Sequence, residues 1–313
     1  MLEYKYPYFG PVNIENANIG SAHYESGNLR VQKRLSSGLQ LLMNYTYSRA
    51  LDDVGSANFN SQPNQAGATG SNGKAFQSVL PDSSVYGLAA ADQTHRLSFF
   101  YNYQLPFGRG RHWMNSLQGI PGAILENAAG GWEFSGITIW KSGTPVAIQS
   151  QDGNLDQGID VWNTFASLVP GDTAKNTVTP GFSDPRKALC ALPCSNSPPT
   201  GHPTALVASA IATGNQGVLG NAQTFTLGNI PPNLGLLLRN PSAFSTDMSI
   251  MKSFPIASEG KVYFQLRLEG QNIFNHPVLG SYNTNPQSTT YGMITGVVAN
   301  GERHVQVSGR FVF

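Results

Sequence analysis

The ten residues Arg96-Leu-Ser-Phe-Phe-Tyr-Asn-Tyr-Gln-Leu105 alternate almost without a break. Leu97, Phe99, Tyr101, Tyr103 and Leu105 fall on one side of an extended chain, and Arg96, Ser98, Phe100, Asn102 and Gln104 fall on the other. Successive side chains of a β-strand point to opposite faces, so this period of two predicts a strand with one greasy, aromatic face and one mainly polar face.

The same pattern recurs on both sides of that stretch. Leu39, Leu41, Met43, Tyr45 and Tyr47 alternate with Gln40, Asn44, Thr46 and Ser48, with Leu42 the one apolar interruption. Val262, Phe264, Leu266 and Leu268 alternate with Lys261, Tyr263, Gln265, Arg267 and Glu269. A last strand sets Val305, Val307, Phe311 and Phe313 against Gln306, Ser308 and Arg310. Residues 29–35, 132–140 and 244–254 complete a set of about seven, and the face of the 132–140 segment is ambiguous. Each is near the 9 to 11 residues that a tilted strand needs to cross a bilayer.

Counted back from Phe313, the connections run 276–302, 255–260, 143–241, 106–131, 51–94 and 36–38. In a meander every second connection lies on the same side, so the long ones share a side, as the extracellular loops of outer-membrane barrels do. The 106–131 connection is longer than the short-turn side of that rule prefers. A soluble antiparallel sandwich also alternates. Its outer faces would carry more charge, and a connection of about 100 residues lies far outside ordinary loop lengths. The membrane barrel is therefore the favoured reading, with Tyr45, Tyr47, Tyr101, Tyr103, Trp132 and Trp140 as candidates for the interfacial aromatic girdles.

Composition agrees. Of 313 residues only 12% are charged, and the net charge is +1, against roughly 25% charged in ordinary soluble domains. Without a basic excess, a nucleic-acid partner is not expected. The 34 glycines, 20 prolines and 10% aromatic residues favour strands and turns over helices. No run approaches the roughly 18 apolar residues of a spanning helix, and the start Met-Leu-Glu-Tyr-Lys-Tyr-Pro-Tyr lacks the marks of a secretory signal. A chain bound for the outer membrane would then be mature at this end or cut from something longer.

Catalytic signatures are missing from the sequence: it has no G-x-S-x-G, no H-E-x-x-H and no phosphate loop. No enzyme activity and no cofactor are expected, and the six histidines are scattered singly. Asp152, Asn154, Asp156 and Asp160 are spaced as calcium ligands can be, but the run lacks the glycine and distal glutamate of an EF-hand, and a polar turn explains it more simply. Cys190 and Cys194 are too few for a four-ligand zinc site, so a local disulfide is favoured over free thiols. Arg96, Lys261, Arg267 and Glu269 fall on the polar faces, where they could line a lumen and contact ligand; pairing among themselves is the plainer reading. Trp162 and Phe165, in the long loop, could stack on a ligand such as a glycan, or simply pack within the loop.

Several blocks in order along the chain resemble the barrel of Oar-like TonB-dependent outer-membrane receptors. They are Asn44-Tyr-Thr-Tyr-Ser-Arg-Ala-Leu-Asp-Asp53, Asp92-Gln-Thr-His-Arg-Leu97, Leu105-Pro-Phe-Gly108, Gly131-Trp132 with Ser142-Gly-Thr-Pro145, Arg239-Asn-Pro-Ser-Ala-Phe-Ser-Thr-Asp-Met-Ser-Ile-Met-Lys-Ser-Phe254, and Arg267-Leu-Glu-Gly-Gln-Asn-Ile-Phe-Asn-His-Pro277. One departure is Gly270-Gln271, where the family more often has bulky residues. The C-terminal Phe311-Val-Phe313 looks like the signal read by the barrel-assembly machinery.

The resemblance implies a 22-stranded barrel with an N-terminal plug, a TonB-engaging box and a signal peptide, in the outer membrane of a Gram-negative cell. Seven strands would be the C-terminal part of such a barrel, spanning residues 1–313 with a long extracellular loop at 143–241 and no plug. The implied function is energised uptake of a bulky ligand, with outer-membrane lipid and the assembly machinery as partners and TonB engaged only through N-terminal parts not in this chain. Two other readings stay open: a soluble or surface-attached carbohydrate-binding β-sandwich, and a small passive barrel with an eighth strand between Lys5 and Ala22.

Overall fold

A computed structural model describes residues 21–52, 86–108, 112–113, 128–148, 166–190, 203–214, 217, 219–220, 228–231, 234–256, 262–298 and 301–313. Seven long strands are joined antiparallel in chain order: β1 Ala22–Ser36, β2 Leu39–Asp52, β4 His95–Gln104, β5 Trp132–Lys141, β6 Ala243–Pro255, β7 Tyr263–Gln271 and β8 His304–Val312. An eighth, β3, is only Gly87–Leu88 and pairs with the end of β2. The seven periodic segments read from the sequence are the seven long strands. The eighth strand considered between Lys5 and Ala22 falls on residues outside those described. Among the described residues the sheet does not close, because β1 pairs only with β2 and β8 only with β7.

The β1–β2 hairpin shows how the sequence sets register. Ser37 and Gly38 have φ of 52° and 80°, the positive pair that a two-residue hairpin turn needs to match strand twist. A side chain on Gly38 would also meet the Gln104 carbonyl oxygen, 2.8 Å from an ideal Cβ.

Register then settles which side chains share a face. Tyr45 opposes Leu97, Leu97 opposes Trp140, and Trp140 opposes Phe244. Leu41, Tyr101, Gly136 and Met248 form another row on the same face. The ambiguous β5 segment is thereby placed: Trp132, Phe134, Thr138 and Trp140 lie on the apolar face, and Glu133, Ser135, Ile137, Ile139 and Lys141 on the polar one. A side chain on Gly136 would run into the Tyr101 ring, and an ideal Cβ on Gly309 would lie 3.0 Å from that of Phe264, so neighbouring aromatics cover both gaps in the apolar face.

Two aromatic belts bound that face. Tyr45, Tyr47, His95 and Trp140 cluster at the long-loop end, with Tyr45 and His95 Nδ1 hydrogen-bonded at 2.8 Å. Phe254, Phe264 and Phe311 stack at the short-turn end. There the Lys252 ammonium lies 5.3 Å from the Trp132 ring centre and 5.1 Å from that of Phe254. Eight residues separate Trp132 from Trp140, about 26 Å along a strand and roughly 20 Å along the membrane normal at an ordinary barrel tilt. That matches an apolar band about 25 Å tall.

The buried hydrophobic cluster lies elsewhere. Val146, Ile148, Leu206, Ile211, Ile230, Leu234 and Leu238, from the connection after β5, pack with Tyr282, Tyr291 and Ile294, from the connection after β7. No strand residue belongs to it. A sandwich buries apolar faces between two sheets; here one sheet leaves its apolar face uncovered and the long loops form their own core.

Candidate functional site

The polar face of the sheet and the rim above it hold the residues with chemistry to offer. On β7, Arg267 Nη2 and Glu269 Oε1 are 2.7 Å apart, two residues apart along one face. Asn102 Nδ2 donates to Glu133 at 2.8 Å, and Ser135 and Ser249 hydroxyls bond at 2.8 Å across β5 and β6. Asp247 accepts the Asn272 backbone N–H at 2.9 Å. The face is thus a neutral hydrogen-bonding wall with those charges committed locally.

Arg96, like Arg30 and Arg310 on the same face, is not committed to an acid among the described residues. It shares the polar face with Arg267 and Glu269 but sits at the long-loop end of β4, three strand positions from β7, about 14 Å away. Among the described residues it has no ion-pair partner. It lines a concavity of about 290 Å³ with Tyr24, Asn28, Thr46 and Gln93.

Above this wall the sequence blocks converge. Asp92, 1% exposed, accepts from the Ala50 backbone N–H at 2.7 Å and from Arg239 Nη2 at 2.7 Å. Arg239 Nη1 also donates to the Gly143 carbonyl at 3.0 Å. Ser142 Oγ accepts the His95 backbone N–H at 3.0 Å, and Asn240 Nδ2 donates to Thr144 Oγ1 at 3.0 Å. Gly143 lies against the Asn240 carbonyl too closely for any side chain. One network therefore bolts together the chain ends entering β4, leaving β5 and entering β6. Asn272, at φ 44°, closes the next corner: its amide donates to the His276 and Gly301 carbonyls at 3.1 and 2.6 Å, and its oxygen accepts the His276 N–H at 3.0 Å.

In the loop core, burial and then the nearby Asp184 charge push the Tyr282 phenol up to about 12. Burial also raises Tyr291, whose hydroxyl has no hydrogen-bond partner among the described residues. Cys190 is disulfide-bonded, and its backbone N–H donates to the Ile294 carbonyl at 2.9 Å. Cys194, Asp152, Asn154, Asp156, Asp160, Trp162, Phe165 and Lys261 lie outside the described residues. Among the described ones no group of His, Cys, Asp and Glu gathers as metal ligands. Phe311 and Phe313 end β8 at the short-turn rim, Phe313 being 92% exposed.

Sequence reasoning picked out Arg96 but missed Lys141, its cross-strand partner, because the face of β5 was undecided. It quoted Asp92, Arg239 and Asn272 without a role. A buried charge pair formed across 147 positions has no local sequence signal.

No curated protein and no solved structure matches the chain. The outer membrane beta barrel domain family matches residues 2–306, nearly the whole of a sequence whose strands present one aromatic-belted apolar face and one polar face, so the chain belongs to that family and resides in the outer membrane.

Proposed function

We propose that the chain is the C-terminal wall of a TonB-dependent outer-membrane receptor of the Oar-like kind, which takes up a bulky ligand under energy supplied through TonB. The observation that carries this reading is the open seven-strand meander. Unpaired backbone groups at the edges of β1 and β8 cost several kcal/mol each in lipid, so further strands must satisfy them, and a wall of that size suits a wide barrel. The long loops, fastened into one packed body, would capture ligand on the outer side; the plug and TonB box would belong to sequence before Met1. Phe311 and Phe313 would present β8 to the assembly machinery. The reading involves no bond-making chemistry and no cofactor.

Translation of the genomic frame upstream of Met1 tests it. An in-frame plug, TonB box and signal peptide support it, and TonB-dependent accumulation of ligand by the longer product would follow. A stop codon and promoter directly upstream of Met1 overturn it.

A further inference from the structure

Arg96 and Lys141 are register partners on adjacent antiparallel strands and share the polar face. Such partners hold their Cβ atoms about 5 Å apart, and like charges directly opposite one another destabilise a sheet. The row they belong to runs Asn28, Thr46, Arg96, Lys141, Ala243 across five strands and contains no acid. The nearest buried carboxylate, Asp92, is held by Arg239 at 2.7 Å. Arg267 on the same face has an acid beside it, Glu269, and Arg30 and Arg310 face neutral Asn44 and Gln265 across their strand pairs, so the cation-to-cation opposition of Arg96 and Lys141 is not repeated at those positions. Both Arg96 and Lys141 are exposed on the polar face. A sheet that places two cations together where neutral residues would be more stable is breaking a local rule, and such breaks concentrate at functional sites.

The surroundings say what would relieve the repulsion. The concavity that Arg96 lines, next to Lys141 in register, adds the neutral hydrogen-bonding groups Asn28, Thr46 and Gln93 and the ring of Tyr24, 63% exposed; Asp92 also lines it, with its carboxylate already held by Arg239 and the Ala50 N–H. A guanidinium and an ammonium attract an anion, amide and hydroxyl groups suit hydroxyls, and an exposed ring suits the apolar face of a sugar. We infer that the Arg96–Lys141 row is a lumenal binding site for the anionic group of a polyhydroxylated solute, of which an acidic saccharide is the type. The inference rests on the transport reading for the solute's passage, and names its chemical class.

The test uses the protein as the outer membrane holds it, with any sequence that precedes Met1, in nanodiscs, titrated calorimetrically with trigalacturonate and with its methyl ester, which has the same sugars without the charge. The expected result is saturable binding of trigalacturonate that weakens as salt rises, at least tenfold weaker binding of the ester, and a loss of at least tenfold in each of Arg96→Gln and Lys141→Gln. Each single variant should also unfold at higher denaturant concentration than the parent, since it removes the repulsion. Equal binding of acid and ester, or unchanged binding in both variants, overturns the inference. Because binding is read in nanodiscs without TonB, its failure is distinct from failure of the uptake reading, which the upstream frame decides.

Discussion

Replacing Met43 by lysine, with Ser98→Lys as its counterpart, asks whether the sheet has been placed the right way round in the membrane. Met43 lies on the apolar face of β2, opposed by Val31 and Phe99, midway between Leu39 and Tyr47. Four residues to either end is about 13 Å along the strand and roughly 10 Å along the normal, so the new ammonium sits near the bilayer midplane. A lysine there costs about 2–4 kcal/mol, and its length matches methionine closely enough to leave little void. Ser98 is one strand away on the polar face, opposed by neutral Asn44 and Ile139. Its nearest cation is Arg96, and repulsion between two exposed charges is worth less than about 0.5 kcal/mol. The two variants should therefore differ by at least about 1.5 kcal/mol, an order of magnitude in the unfolding constant. Guanidinium unfolding from lipid vesicles, followed by tryptophan fluorescence, measures both. Equal costs, or a larger cost for Ser98→Lys, would refute the face assignment.

The rim network predicts that Arg239→Ala strands a buried carboxylate. Breaking such a pair costs about 3–5 kcal/mol, reduced to about 2–3 here because Arg239 is 22% exposed; protease cleavage of the loop body with the strands still folded is the expected sign, and unchanged protease resistance would discard the bolt. Tyr291→Phe should stabilise the loop core by about 1 kcal/mol, because it removes a buried hydroxyl that has no partner among the described residues; a chemical melt of that core checks it. For Tyr282, whose phenol is raised from 10 to about 12, the unfolded chain loses its proton first, so the contribution is full below pH 10 and lost as pH climbs toward 12. Tyrosinate absorbance should show a late-titrating group that disappears in Tyr282→Phe. Phe313→Ala should cut outer-membrane yield several-fold while moving in vitro stability by less than about 0.5 kcal/mol, since the ring is almost wholly exposed; equal yield would remove the assembly role.

The strands were legible because a membrane strand needs little beyond a period of two. Leu97, Phe99, Tyr101 and Tyr103 declare their face without reference to any other part of the chain. Residues 132–140 did not, because Ile137 and Ile139 stand on the polar face beside Glu133 and Lys141, while Gly136 and Thr138 interrupt the apolar one. Only pairing with β4 and β6 resolves that face, and with it the position of Lys141. Charges expected to pair across strands do otherwise: Arg267 and Glu269 pair along one strand, and Arg96 faces a lysine, because strand register, not sequence proximity, decides what stands opposite it. The loop core was not legible either. Val146, Leu206, Leu234 and Ile294 are drawn from segments without periodicity, joined by single bridges such as Leu189 to Ile294.

The position of the motif blocks follows from where burial comes from. Lipid covers the apolar face of the strands for any sequence of suitable residues, so alternation can be met in many ways and leaves no fixed signature. At the rim the chain leaves lipid, turns, and must satisfy every backbone group with particular partners. Asp92 receiving Ala50 and Arg239, Ser142 receiving His95, and Asn272 receiving His276 do this with side chains that few substitutes could replace. Several of the blocks that carry the resemblance thus hold fastenings of the long-loop end, at Asp92, Ser142, Arg239 and Asn272. They identify how the loops are held and carry no information about what passes between them. Of the cation pair, Arg96 belongs to the block at 92–97 and Lys141 to none, and their register pairing is where the described wall sets two like charges side by side.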